Sequence, residues 1–196
     1  MLRTKRSVMD KVIEFLNIKN LSQIKYELLE FANNIKNNVA ITSDIMVKQQ
    51  DKNRYGIWGD ISEILPNLHS YLAENFNIMP DRYTYYFTPP EQKIRPHIDI
   101  SPQFGDWIGV NIPVANTENS VTTFYEWDEN NMDGRWPIDE SKLVIKEAHT
   151  MDKPFIINAG VLHGVENLDS QNERIMFLIR WHPRHKFKDI KNENTA

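Results

Sequence analysis

Hydrophobic positions follow different periods in the two halves of the chain. Before residue 80, apolar residues recur every three or four positions, which is the spacing of helices with one buried face. The clearest series is Leu21, Ile24, Leu28, Phe31 and Ile35. From Arg82 onward, short runs rich in Tyr, Ile, Val and Phe alternate with turn residues. The pattern therefore predicts N-terminal helices followed by a β-domain.

The N-terminal half is predicted to contain three helices and one strand. Ser7 is an N-cap candidate for a short first helix that includes the apolar positions of 12–16. The second helix carries the series given above. A possible strand at 41–47 and a polar loop follow it, and a third helix is predicted over 60–75, where Pro66 is an unfavourable interior residue.

The C-terminal half contains seven strand-like runs at the spacing of an antiparallel sandwich or barrel. We predict a mainly β, α+β fold in which residues 1–79 form a helical support within the same domain. We expect residues 80–185 to form the β-core, and residues 186–196 to form a polar, disordered tail. The runs are RYTYYF, KIRPHIDI, WIGVNIPV, SVTTFYEW, KLVIKEA, PFIINA and RIMFLIRW.

The composition of the chain limits the partners and the metal ligands that can be expected. The chain of 196 residues has a formal net charge of −4, so we expect no nucleic-acid partner. It has no cysteine, which leaves any metal to histidines and carboxylates. No apolar stretch approaches the ~20 residues of a membrane span, and the N-terminus lacks the features of a signal peptide. A cytoplasmic protein without a membrane partner is expected, and nothing in the pattern indicates its oligomeric state.

Three residues form the strongest candidate site. His97 and Asp99 lie in RPHID, and His163 lies in AGVLHGVEN. Alternate side chains of a strand point to one face, so His97 and Asp99 can converge on one metal. Two imidazoles and one carboxylate are the facial triad of non-haem Fe(II) oxygenases. The alternative reading of His97 and Asp99 is a strand histidine paired with a carboxylate.

Two further features support a metal site. Gly160 precedes His163 and allows a tight turn that would aim the imidazole inward. In RIMFLIRW, alternation places Arg174 on the same face as Met176, Leu178 and Arg180. A buried guanidinium requires an anion, and its planar shape suits a carboxylate. Arg180 is open to two readings, a second anion contact or a residue of the strand end.

Several motifs together resemble a known family. YYFTPPEQKIRPHID, GVNIPVANT, INAGVLHGVEN and ERIMFLIRWHP, within residues 82–184, resemble the Fe(II)/2-oxoglutarate-dependent dioxygenases. They are most similar to the aspartyl/asparaginyl β-hydroxylase branch. The resemblance implies a double-stranded β-helix (jelly-roll, cupin-like) core, Fe(II), 2-oxoglutarate as co-substrate and O2. It implies the metal ligands His97, Asp99 and His163, Arg174 as partner of the distal carboxylate of 2-oxoglutarate, and Tyr86 and Asn111 as further co-substrate contacts.

The expected activity is hydroxylation of an unactivated C–H bond of an amino acid, a peptide or protein side chain, or a related small molecule. The alternative is a cupin-like metal-binding or non-oxygenase protein, which would have no reason to keep an inward Arg174. A nucleic-acid demethylase of the same superfamily is disfavoured by the acidic balance. A groove rimmed by tryptophans would favour a peptide substrate, and a pocket closed by the N-terminal helices would favour a metabolite.

Overall fold

Two packed antiparallel sheets form the body of the protein. The computed structural model describes residues 13–37, 45–98, 100–101, 105–106, 108–126, 140–158, 161–182, 184–185 and 187–190.

The helices and strands are numbered in chain order. The helices are α1 (Leu21–Lys36), α2 (Pro66–Asn75) and α3 (Phe187–Ile190). The strands are β1 (Ile13–Phe15), β2 (Ile45–Asp51), β3 (Arg54–Gly59), β4 (Arg82–Thr88), β5 (Lys93–His97), β6 (Ile100–Ser101), β7 (Gly105–Asp106), β8 (Ile108–Ala115), β9 (Ser120–Glu126), β10 (Val144–Thr150), β11 (Phe155–Asn158), β12 (His163–Asn167) and β13 (Arg174–Trp181).

The chain moves back and forth between the two sheets. The large sheet has the order β1-β11-β8-β13-β4-β3-β2, and the small sheet has the order β10-β9-β12-β5, while β6 and β7 pair with each other. From β4 onward, β4, β8, β11 and β13 belong to the large sheet, and β5, β9, β10 and β12 belong to the small sheet. The fold is a jelly-roll-like β-sandwich.

The helices pack on the outer face of the large sheet. The buried stripe of α1 joins Tyr85 and Phe177 in the larger hydrophobic cluster, and the Tyr85 hydroxyl donates to the Leu28 carbonyl oxygen at 2.6 Å. A second cluster joins the two sheets through Phe124 and Phe155. Because α1 and α2 cover the face that points away from the small sheet, they do not close the space between the sheets.

The N-terminus of α2 is stabilised by a carboxylate from α1. The N-cap residue Leu65 has no capping side chain. Glu27 instead accepts hydrogen bonds from the backbone N–H of Asn67 at 3.1 Å and of Leu68 at 3.4 Å. These donors have no partner inside the helix, and a negative charge also suits the positive end of the helix dipole.

Replacing Glu27 with alanine should therefore destabilise the protein by about 1 kcal/mol, the usual cost of a lost helix cap. For a chain of this size the melting temperature should fall by about 2–4 °C. Thermal denaturation followed by circular dichroism measures the change, and Glu30→Ala, at an exposed position of the same helix, is the control. Equal losses in both variants would contradict the capping role.

The seven strand-like runs are confirmed as β4, β5, β8, β9, β10, β11 and β13, and the second helix is confirmed as α1. The first helix is wrong in its described part, because Ile13–Phe15 forms an edge strand paired with β11. Ile13 lies opposite Ile157 and is buried with it. A segment of three residues is compatible with both the helical and the strand period. Its structure is therefore set by pairing with β11 at the edge of the large sheet.

The other N-terminal predictions need smaller corrections. The third helix begins at Pro66, which is the first helical position and needs no N–H bond there. Asp60 lies in the preceding turn, where its carboxylate accepts from the Ser62 N–H at 2.8 Å. The predicted polar loop contains β3, which forms a hairpin with β2 and pairs with β4. Residues 1–79 therefore supply strands to the large sheet as well as helices.

The predicted tail contains a short helix. Ile190 of α3 is buried in the larger hydrophobic cluster, and its carbonyl oxygen accepts from the Asn77 N–H at 2.9 Å. Burial of one apolar side chain thus holds Phe187–Ile190 against the body. The other tail positions, 186 and 191–196, lie outside the described residues. The division at residues 79 and 185 stays a prediction.

Candidate active site

A cavity of about 380 Å³ lies between the two sheets. Its walls combine apolar residues with an unusual number of polar ones, several of which are buried on the inner face of the large sheet. Buried polar residues conflict with simple core packing and are retained mainly where a site needs them. His97, His163, Arg174, Tyr86 and Asn111 all line this one cavity.

His97 and His163 lie directly opposite each other on β5 and β12. Their ring centroids are 4.5 Å apart, and the ring planes make an angle of 48°. This spacing allows one nitrogen of each ring to bind the same metal at about 2.1 Å. The sequence predicted His163 in a turn after a strand; it is instead the first residue of β12, a strand that the pattern did not predict because HGVEN is short and polar.

A β-bulge in β5 creates this pairing. Val165 lies opposite Ile94, but His163 lies opposite His97, so β5 contains one extra residue over this interval. Without it Pro96 would face His163, and alternation would turn His97 to the outer face. Gly164 lies beside the bulge, where an added Cβ would stand 3.3 Å from the Ile94 carbonyl oxygen. The bulge thus aims His97 into the cavity.

The backbone fixes the orientation of both imidazoles. His97 Nδ1 lies 2.8 Å from the Arg95 carbonyl oxygen, and His163 Nδ1 lies 2.8 Å from the Val161 carbonyl oxygen. A carbonyl only accepts, so each Nδ1 is assigned a proton, and the nitrogen left for a metal is Nε2. Metal-binding histidines typically use one nitrogen for the metal and donate from the other. The donor set therefore fits a divalent metal.

The third predicted ligand, Asp99, lies outside the described residues. Within the described part of the chain, no three His, Cys, Asp or Glu side chains are close enough to share a metal. The histidine pair supplies two ligands, and the role of Asp99 stays a prediction.

Arg174 is buried in the part of the cavity wall that the large sheet forms. Only 4% of the residue is exposed, and Nη1 donates to the Thr88 hydroxyl at 3.3 Å. Nε is buried and has no hydrogen-bond acceptor among the described residues. Burial lowers the pKa of Arg174 to about 10, and the nearby Tyr86 opposes the shift. The side chain is therefore a cation at neutral pH. An anionic ligand would offset the free-energy cost of removing this cation from water.

Tyr86 and Asn111 lie at different levels of the large sheet. Tyr86 pairs with Met176, two residues from Arg174, so it lies near the predicted co-substrate cation. Asn111 pairs with Leu178, and its Oδ1 accepts from Arg180 Nη1 at 2.7 Å. The structure thus places Tyr86 with Arg174, and Asn111 with Arg180, while their predicted contacts with the co-substrate stay predictions.

The order of residues along the cavity follows from the strand register. Asn167, at the end of β12, donates through Nδ2 to the Thr88 carbonyl oxygen at 3.1 Å, and Thr88 is paired with Arg174. His163 lies four residues back along β12, which is about 13 Å. Asn167 is thus the end of β12 nearest to the level of Arg174, and the histidine pair lies further along the cavity.

Sequence reasoning missed further cavity residues. Arg82 and Thr84 lie on the same face of β4 as Tyr86, and Arg54 faces Tyr86 from β3. Alternation in RYTYYF carries the signal for Arg82, because Tyr83 and Tyr85 are buried on the other face. No such alternation indicated Arg54, because its strand lies in a segment that the sequence pattern predicted to be a loop.

Comparison with known proteins supports the fold. No family model matches the chain, and none of the curated proteins matches it. Among solved structures, AviO1 from Streptomyces viridochromogenes Tue57 has a TM-score of 0.51 and 11% identity, over 86% of each chain. HygX from Streptomyces hygroscopicus, with nickel and 2-oxoglutarate bound, has a TM-score of 0.53 and 7% identity, over 88% of this chain and 82% of its own.

A third similar structure is SnoN, a non-haem α-ketoglutarate-dependent epimerase from nogalamycin biosynthesis. It has a TM-score of 0.50 and 11% identity, over 86% of this chain and 76% of its own. The protein therefore has the β-sandwich fold of this group of structures, and a shared fold does not by itself define an activity.

The described helices are all too short or too polar to cross a bilayer.

Proposed function

We propose that this protein is an Fe(II)- and 2-oxoglutarate-dependent dioxygenase with a double-stranded β-helix core, in the aspartyl/asparaginyl β-hydroxylase branch. Its reaction is hydroxylation of an unactivated C–H bond of an amino acid, a peptide or protein side chain, or a related small molecule. The main support for this proposal is a single cavity that is lined by two oriented imidazoles facing each other and by a buried arginine cation.

Two observations support the metal. The paired histidines have Nδ1 fixed by carbonyl oxygens, the arrangement in which a histidine binds a metal through Nε2. Two imidazoles with one carboxylate form the donor set of non-haem Fe(II), and Asp99 would be that carboxylate. It follows His97 by two positions, which is the spacing of residues on one face of a strand.

Arg174 supports the co-substrate. 2-Oxoglutarate has a carboxylate remote from its chelating 2-oxo acid end, and a buried guanidinium with an Nε that lacks an acceptor among the described residues suits it. Thr88 and Tyr86 lie on the adjacent strand and would complete this polar end. Arg174 thus binds and orients the co-substrate by charge, so its function depends on remaining protonated.

Bound Fe(II), 2-oxoglutarate and O2 would together supply the oxidising chemistry, with release of succinate and CO2. The chain itself contributes orientation and a restricted cavity. Phe124 and Met176 belong to the hydrophobic cluster beside the polar groups, and an apolar surrounding strengthens charge interactions. No protein nucleophile is needed, consistent with the cavity residues that the structure describes.

The similar structures agree with this proposal. HygX binds nickel and 2-oxoglutarate, and SnoN depends on α-ketoglutarate. SnoN is an epimerase, so the fold accommodates outcomes other than hydroxylation. For this chain we propose hydroxylation on the sequence resemblance, together with location in the cytoplasm and no membrane or nucleic-acid partner.

The cavity favours a small substrate or a single side chain. Its volume of about 380 Å³ is at the lower end of the range of small-ligand pockets. A groove rimmed by tryptophans would have indicated a peptide substrate, and a pocket closed by the N-terminal helices would have indicated a metabolite. Neither feature distinguishes the two substrate classes here. The N-terminal helices lie on the other face of the large sheet, and Trp107, Trp127 and Trp136 lie outside the described residues.

Turnover of 2-oxoglutarate tests the proposal. Purified protein is incubated with Fe(II), ascorbate, air and 2-oxoglutarate, alone and with free amino acids or short peptides, and succinate is quantified. We expect Fe(II)-dependent succinate release that rises with the true substrate. Metal binding without any consumption of 2-oxoglutarate, alone or with every candidate substrate, would favour the cupin-like alternative.

A further inference from the structure

The large sheet extends beyond the small sheet on the side of β2 and β3. It has seven strands against four, and at its other edge Ile13 is buried in the cluster between the sheets. Ile57 of β3 packs toward the helices, so alternation turns Trp58 to the inner face, where it lies opposite Met46 of β2. Neither Met46, which is 58% exposed, nor Trp58 belongs to the two hydrophobic clusters of the described residues.

The Trp58 side chain lies over Gly56. A Cβ added to Gly56 would stand 2.9 Å or less from two carbons of the six-membered ring of Trp58, and 2.6 Å from Gln50 Nε2. Only glycine therefore leaves room for the indole and the amide, which lie side by side above its backbone. The indole is half-buried in this position.

The indole lies at the edge of the cavity. The glycine beneath it pairs with Thr84, which lines the cavity. Gln50 Oε1 accepts a hydrogen bond at 2.6 Å from Nη2 of Arg82, another cavity residue. Arg54, on the same strand and face, also lines the cavity, and its side chain is 42% exposed, so the cavity reaches solvent on this side. A substrate that extends from the cavity here would contact Trp58.

The polar atoms available beside the indole are hydrogen-bond donors. Gln50 Oε1 is occupied by Arg82, whereas Gln50 Nε2 and Trp58 Nε1 have no acceptor among the described residues. Both nitrogens only donate. An apolar aromatic surface with donors at its edge suits a ring that has C–H groups on its face and oxygen acceptors around its edge. A pyranose sugar has this distribution, and the phenyl ring of a peptide side chain has no acceptor at its edge.

We propose that Trp58 determines substrate specificity by stacking against a sugar ring of the substrate at the edge of the cavity. Gln50 Nε2 and Trp58 Nε1 donate to oxygens of this ring, and Gly56 is the positioning residue for both side chains. The assignment rests on the proposed function above and narrows its substrate to a sugar-bearing molecule. The cavity of about 380 Å³ then has to accommodate only the reacting part of that molecule and the co-substrate.

Binding of the methyl glycosides of glucose, galactose and mannose tests the proposal. Each is titrated into isotope-labelled full-length protein, and the indole N–H resonance of Trp58, assigned by its absence in Trp58→Phe, is followed by NMR. We expect at least one glycoside to shift this resonance saturably. Cyclohexanol has a ring of the same size with a single oxygen, so it leaves a donor unpaired and should bind at least about tenfold more weakly.

Four variants, titrated calorimetrically with the glycoside that binds, identify the contact. Trp58→Ala should weaken binding at least about tenfold, and Trp58→Phe, which keeps an aromatic face, should weaken it less. Gly56→Ala displaces the indole and the amide without removing either, so we expect a loss similar to that of Trp58→Ala. Tyr26→Ala removes an exposed aromatic side chain of α1 outside the cavity lining and should leave the affinity within about twofold.

Affinity for 2-oxoglutarate separates the failure of this inference from failure of the proposed function. Trp58 is outside the cavity lining, so Trp58→Ala and Gly56→Ala should bind 2-oxoglutarate in the presence of Fe(II) within about threefold of wild type. Normal 2-oxoglutarate binding with no glycoside bound, or with glycoside affinity unchanged in both variants, would overturn the sugar site alone.

Two further outcomes are decisive. Tighter binding of N-acetylphenylalaninamide than of any glycoside would also overturn the sugar site, because it would indicate an aromatic peptide side chain at Trp58. If the wild-type protein does not bind 2-oxoglutarate, the proposed function fails, even where glycoside binding still depends on Trp58.

Discussion

Replacing His163 with alanine is expected to abolish Fe(II) binding at the site and, with it, succinate release. His163 is 5% exposed and faces His97 at 4.5 Å between ring centroids, so its loss removes one of the two imidazoles of the site. Loss of partners that only orient a metal ligand costs about 10–100-fold in affinity, and loss of the ligand itself should exceed that. Calorimetric titration with Fe(II) under nitrogen measures the change.

His149→Ala is the matched control. His149 lies on the same small sheet, outside the cavity lining, and its Nε2 is 3.1 Å from Glu147. Its removal should leave Fe(II) stoichiometry at one per chain. Circular dichroism confirms that each variant is folded, and His97→Ala provides a second test if His163→Ala is not. A folded His163→Ala protein with wild-type Fe(II) affinity would contradict the metal assignment.

Replacing Arg174 with glutamine is expected to produce the second large effect, a loss of affinity for 2-oxoglutarate. Removing one partner of a buried charged pair costs roughly 3–5 kcal/mol. At 1.4 kcal/mol for each tenfold step, the affinity should fall by about two to three and a half orders of magnitude. Fe(II) affinity should be unchanged, because Arg174 lies at a different level of the cavity from the histidines. Titration of 2-oxoglutarate into the Fe(II)-loaded protein measures the first affinity, and titration of Fe(II) into the metal-free protein measures the second.

Stability provides an independent readout for Arg174. The ligand-free protein carries the cost of a buried guanidinium whose Nε has no acceptor among the described residues. Arg174→Met, which keeps most of the volume and removes the charge, should therefore melt at the same temperature as the ligand-free wild type or higher. Arg95→Gln, which removes an exposed arginine outside the cavity lining, is the control for 2-oxoglutarate affinity. A strongly destabilised Arg174→Met, with 2-oxoglutarate affinity retained in Arg174→Gln, would mean that Arg174 is structural.

Most of the fold was predictable because the strands of the sandwich carry clear patterns. The buried tyrosines and phenylalanines of β4 and β13 alternate with cavity residues, and α1 has a continuous apolar stripe. Short or polar elements were not predictable. β1 has three residues, and β12 reads HGVEN, so each forms only because a neighbouring strand offers an edge. Local pattern has little influence on such segments.

The candidate site was predictable in its residue types but not in its geometry. The pattern identified His97, His163 and Arg174, and all three line one cavity. Alternation alone could not have predicted the bulge that turns His97 inward, since a bulge depends on pairing with β12. The pair formed by Arg82 and Arg180 was also hidden, because their positions differ by almost a hundred residues and only the register of β4 and β13 brings them together.

We propose that one metal and one 2-oxoglutarate share this cavity. This proposal is tested most directly by titrating 2-oxoglutarate calorimetrically into metal-free protein and into protein loaded with Fe(II), both without oxygen. In the proposed function 2-oxoglutarate chelates the metal with one end and contacts Arg174 with the other, which predicts one 2-oxoglutarate per chain, bound at least a hundredfold more tightly when Fe(II) is present. Equal affinity with and without Fe(II), or no binding in either case, would contradict the account.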